Sequence, residues 1–97
     1  MEQRDVLKVV ERYREHFARH GIAKIALVNP ESASVSPQQA LQHCYVMLDW
    51  IREALDDGDL EKAQRWLGIV QGCLFALGRF SLREIHCHNC WSALQEN

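Results

Sequence analysis

The chain has no apolar run approaching the roughly 20 residues that a bilayer-spanning helix requires, so a membrane span is not expected. Its opening stretch, MEQRDVLKVVERYREHF, alternates charged with apolar residues and lacks the uninterrupted core and small-residue cleavage site of a secretory signal. A cytoplasmic protein with free thiols is therefore the expectation for Cys44, Cys73, Cys87 and Cys90. Neither sign of charge dominates: 11 Lys and Arg stand against 13 Asp and Glu, a net charge of −2. General nucleic-acid binders present a basic domain, so that class is disfavoured. Proline occurs only twice, both times in one short stretch, and there is no internal repeat or low-complexity segment.

The constellations that catalysis needs are also missing. No glycine-rich phosphate loop joins a strand to a helix, because Gly68-x-x-x-Gly72 falls inside a helical pattern. Nucleophilic catalysis needs a nucleophile, a base and an orienting group in one pocket. Cys73 sits mid-helix among apolar residues, and Glu84 and His86, two positions apart on a helix, do not face each other. The carboxylates Asp49, Glu53, Asp56, Asp57, Asp59 and Glu61 gather at a solvated tip. An enzyme is not expected, and no cofactor is implied.

What remains is a helical pattern. The chain of 97 residues with 47% hydrophobic content can bury roughly two-thirds of its unfolded surface in one domain. Leu60, Ala63, Leu67, Val70, Leu74 and Leu77 recur at intervals of three and four, one side of a helix. Trp66, Ile69 and Cys73 widen that side, and Gly68, Gly72 and Ala76 form another at which a backbone could approach closely. A helix apolar over more than half its circumference is expected to be buried between neighbours.

The other elements are arranged about this rod. Residues 2–20 predict a first helix with a partial stripe (Val6, Leu7, Val10, Tyr13, Phe17), stopped at Gly21. IAKIALV, at 22–28, reads as an extended segment over the core, since a lone strand has nothing to pair with. NPESASVSP, at 29–37, is the linker. Ser36-Pro37-Gln38-Gln39 starts a helix from 38 to 57. Asp57-Gly58-Asp59 turns the chain into the third helix, 59–78, so short a connection making the pair antiparallel. Ser81-Leu82-Arg83-Glu84 is a capping box opening a fourth helix, 81–94. The expected fold is all-α: an antiparallel hairpin flanked by an N-terminal and a short C-terminal helix.

Three groups of residues stand out for function. His86-Cys87-His88-Asn89-Cys90 has thiolate and imidazole at zinc-ligand spacing. A closed site needs a second pair, for which His43-Cys44 is the only candidate, so His86, Cys87, Cys90 and Cys44 are weak metal candidates. Helices three and four also invite comparison with a helix-turn-helix, with Arg83, His86 and Asn89 as reading residues and Arg79 on phosphate, but one or two cations are thin for DNA. The surplus apolar surface carries more. Met47, Trp50 and Trp91 exceed what a hairpin covers, and aromatic residues and Met are enriched in interface cores. With the basic stripe Arg4, Lys8 and Arg12, they are the candidate partner-binding residues, for a second copy or another protein.

The run LEKAQRWLGIVQGCLFALGRFSLREIHCHN resembles small proteins encoded by tailed bacteriophages and prophages. The shared features are Trp66-Leu67-Gly68, Gln71-Gly72, Gly78, Ser81-Leu82 and His88-Asn89, within roughly residues 40–90. The resemblance implies a bacterial host cytoplasm and an accessory gene product that binds and redirects a host protein complex; it implies no particular chemistry. Capping and packing account for most of these residues. Gln71, His88 and Asn89 are the ones they do not explain, and join the candidate partner-binding set.

Overall fold

The computed structural model describes residues 1–89, and these form four helices: α1 (Gln3–Arg19), α2 (Pro37–Asp56), α3 (Leu60–Ala76) and α4 (Leu82–Asn89). Each start has a local cause. Ser36 Oγ accepts the Gln39 N–H at 3.1 Å while the Gln39 side chain accepts the Ser36 N–H at 3.0 Å, and Pro37 fills the first helical position, where no N–H is needed. Asp59 accepts the Lys62 N–H at 3.0 Å to open α3. Ser81 and Glu84 exchange the same reciprocal pair at 3.1 and 3.0 Å to open α4. Gly58 and Gly78 follow α2 and α3 with φ of +79° and +73°, left-handed values that a side chain would strain.

α2 and α3 form the antiparallel hairpin and share the most extensive interface; α1 lies against both, and α4 rests on α1 and α3. The core follows the sequence periodicity, with Val6, Val10, Tyr13 and Phe17 from α1, Leu48 and Ile51 from α2, and Leu67, Val70 and Leu74 from α3 all shut off from solvent. Residues 22–28 take no regular structure, and there is no strand among the described residues. This segment is held to α2 at a few points. Ile22 packs on the core, the Leu27 N–H donates to His43 Nδ1 at 3.1 Å, and Lys24 Nζ pairs with Asp49 at 3.0 Å while lying over the Tyr45 ring. No helix among the described residues is long and apolar enough to cross a membrane.

The expectation that α3 is enclosed on all sides is corrected. α1, α2 and α4 cover the Ala63–Leu67–Val70–Leu74 side, and the side carrying Gly68, Gly72 and Ala76 faces outward. α2 supplies most of that cover, and α1 and α4 meet α3 over smaller areas. The predicted extension of the fourth helix to residue 94 lies outside the described residues.

Candidate functional site

The outward side of α3 has an unusual composition for a surface. Ile69 is 59% exposed, Phe75 46%, and Leu82, at the start of the adjoining α4, 63%. Between the two α3 side chains run Gly68 and Gly72, one helical turn apart. A Cβ built on either glycine meets nothing within 4 Å, so no contact among the described residues requires glycine there. Glycine inside a helix costs about 1 kcal/mol relative to alanine. The face is thus a shallow backbone groove bordered by two large apolar side chains, with Arg65 the one ionisable residue among its exposed neighbours from residues 65 to 76.

The opposite flank of α3 carries a polar brace. Gln71, 7% exposed, and His88, also 7%, join Tyr13 and Asn89 in one hydrogen-bonded chain. Asn89 Nδ2 donates to Gln71 Oε1 at 3.1 Å and Gln71 Nε2 returns a bond to Asn89 Oδ1 at 2.6 Å. Gln71 Nε2 also donates to the Tyr13 hydroxyl at 3.1 Å, and that hydroxyl shares a 2.8 Å hydrogen bond with His88 Nδ1. The rings of Tyr13, Phe80 and His88 surround the junction, with centroids 5.0 to 5.5 Å apart. Three helices distant in sequence are fixed by groups that would each be costly to bury unpaired.

Burial raises the Tyr13 pKa to about 12, against smaller opposing effects of the Gln71 bond and Arg12. Burial, with help from Arg12 and against Glu84, lowers that of His88. Nearby, His16 meets the rings of His20 and Phe80 at a tilt of 50°, and its pKa is lowered by burial first and then by the charges of His20, Arg79 and Arg19. Both imidazoles hold protons less readily folded than unfolded. Stability from this source is therefore complete above the ordinary histidine pKa of about 6.5 and declines as pH falls through and below it. The urea midpoint should fall between pH 7.5 and 5.5, a window above ordinary carboxylate titration, and the fall should shrink in His88→Gln. An unchanged midpoint would contradict the brace as drawn.

The residues singled out by sequence are dispersed. Gln71 and His88 are corrected as partner contacts: their polar groups are satisfied inside the fold and almost none of their surface is presented. Asn89, part-buried, is turned to Gln71 and away from any reading surface of α4. Met47 belongs to the core. Trp50 is half-buried, edge-on to Trp66 at 5.6 Å and to His43 at 5.3 Å, so most of its ring already has partners. Arg4, Lys8 and Arg12 are exposed along α1 as expected, Arg4 within 3.8 Å of Glu2. Of the metal candidates, Cys44 is buried in the α2–α3 interface while His86 is exposed on α4 and Cys87 half-buried there. No group of three or more possible ligands meets among the described residues. Cys90 and Trp91 lie outside the described residues.

An open cleft of about 840 Å³ runs along α1, with Lys8, Glu11, Arg12, Arg14 and Tyr45 in its lining. Arg14 bridges Glu11 at 3.5 Å and Asp49 at 3.2 Å there. Glu15 and His88 also line the cleft. No family model, curated protein or solved structure matches the chain.

Sequence reasoning passed over Ile69, Phe75 and Leu82, taking Ile69 as part of a buried stripe. The signal that finds them is the count of apolar faces: α3 has more than neighbours packed on one side of it cover.

Proposed function

We propose that the protein works by contact and not by catalysis: a small accessory protein of the bacteriophage or prophage kind that docks an apolar helix of a host protein on the outer face of α3 and so modulates the complex to which that protein belongs. The observation that carries this reading is the pair of solvent-facing glycines between Ile69 and Phe75. Their destabilising effect has no return among the described residues, and a groove without Cβ atoms, flanked by ridges, is the shape into which a second helix packs closely. The phage resemblance supports a host protein as occupant, since redirecting host complexes is a common role for such gene products.

The experiment is affinity capture from host lysate by the purified chain, quantified against two variants. Ile69→Ala should weaken retention of the captured protein about tenfold, the effect of a typical interface anchor. Lys8→Glu, on the far side of the molecule, should leave retention unchanged. Loss that follows Lys8 and spares Ile69 would move the interface to α1. Sedimentation showing a dimer of this chain that Ile69→Ala dissociates would make the occupant a second copy and end the host-helix reading.

A further inference from the structure

We propose that Cys44 and Cys73 are a reversible thiol switch, closing to an interhelical disulfide on reaction with a low-molecular-weight disulfide such as oxidised glutathione. The two residues lie at nearly equal distances from Gly58 along antiparallel helices, so they meet across the α2–α3 interface. Cys73 packs on the core cluster to which Cys44 belongs. Both are free thiols, and side chains that face each other across a close-packed helix pair can be brought to the bond length of about 2.05 Å by rotation and a small shift.

The pair is asymmetric in the way that exchange requires. Cys44 is 3% exposed. Cys73 is half-buried at the edge of the outer face of α3, one turn from the exposed Ile69. Two cysteines that merely filled the core would both be sealed; here one is sealed and the other reaches solvent. The Cys44 S–H can donate to a Cys73 thiolate, which pulls the Cys73 pKa down to about 7 despite its partial burial. That same hydrogen bond, together with burial, holds the Cys44 proton on. The thiolate is the attacking species in exchange.

The chemistry balances with one oxidant. The Cys73 thiolate attacks a sulfur of oxidised glutathione, forming a mixed disulfide and expelling one glutathione thiolate. Cys44 then attacks the Cys73 sulfur, its proton passing to the second departing glutathione. Two protein thiols become one disulfide, and one oxidised glutathione becomes two reduced molecules. This inference is independent of what docks on α3.

The test is to incubate the purified full-length chain with oxidised glutathione and map its peptides by mass spectrometry without reduction. The expected product is a Cys44–Cys73 cross-linked peptide, reversed by dithiothreitol, with no lasting glutathione on Cys73. Cross-linking a loop of this length should raise the thermal midpoint by about 10 °C. In Cys44→Ser the reaction should stop with glutathione retained on Cys73. If that variant does not fold, the map of the native chain decides alone. Cys73 left unmodified, glutathione persisting on Cys73 in the native chain, or a cross-link confined to Cys87 and Cys90 would each overturn the proposal.

Discussion

Leu74→Ala should lower the unfolding free energy by about 3–5 kcal/mol, and Phe75→Ala, one residue further on, by less than about 1 kcal/mol. Leu74 is fully buried at the meeting of α3 with its neighbours, whereas Phe75 is 46% exposed on the open side. Truncating the leucine removes its transfer free energy and leaves a cavity that packed helices close only in part. Truncating the phenylalanine removes a ring of which nearly half the surface is already in water, and it leaves no enclosed cavity. For a domain whose whole stability is on the order of 5–15 kcal/mol, the first change takes a large share and the second almost none. Urea unfolding of both variants measures this, provided the slopes match so that the midpoints compare directly. Two adjacent residues of similar hydrophobicity thus report separately on the two sides of α3. Equal losses would mean that the outer face is covered.

The elements themselves were legible because their causes are local. Ser36-Pro37-Gln38-Gln39, Asp59 and Ser81-Leu82-Arg83-Glu84 mark helix starts with side-chain oxygens three residues from the N–H groups they accept. Gly21, Gly58 and Gly78 mark ends because a left-handed residue is needed there, and all three have positive φ. The interval of three and four places Leu67, Val70 and Leu74 inward without knowledge of the neighbours. The brace was visible only in part. Gln71, His88 and Asn89 were conspicuous as polar residues that packing did not explain, yet the partner that joins them, Tyr13, lies 58 residues from Gln71 and 75 from His88. No local pattern encodes that closure. Read as surface residues, they turned out to hold α4 in place.

The outer face of α3 was misread for a related reason. Apolar periodicity says which sides of a helix would gain from burial and is silent on whether enough protein exists to bury them. Ile69 and Leu67 belong to the same apolar helix, and only the placement of α1 and α2 on the Leu67 side leaves the first outside. The same limit applied to Met47 and Trp50. Both resembled surplus surface, but Met47 lies in the core and Trp50 has the rings of His43 and Trp66 against it. Cys44 and Cys73 could be assigned to facing sides of the hairpin from register alone, but the contrast in their exposure depends on the packed structure.

The most direct measurement of the central claim is the double substitution Gly68→Ala and Gly72→Ala, read for stability and for docking in the same preparation. Nothing among the described residues stands within 4 Å of either added Cβ, so alanine's better helix propensity should raise stability by about 1–2 kcal/mol in urea. In the docked state the two methyl groups would hold the partner helix off the backbone. Overpacking at two contacts of about 1–3 kcal/mol each should weaken binding of the captured partner roughly 100-fold. A more stable protein that has lost its partner is the predicted result. A double variant that is more stable and binds its partner as tightly as the native chain would contradict the account.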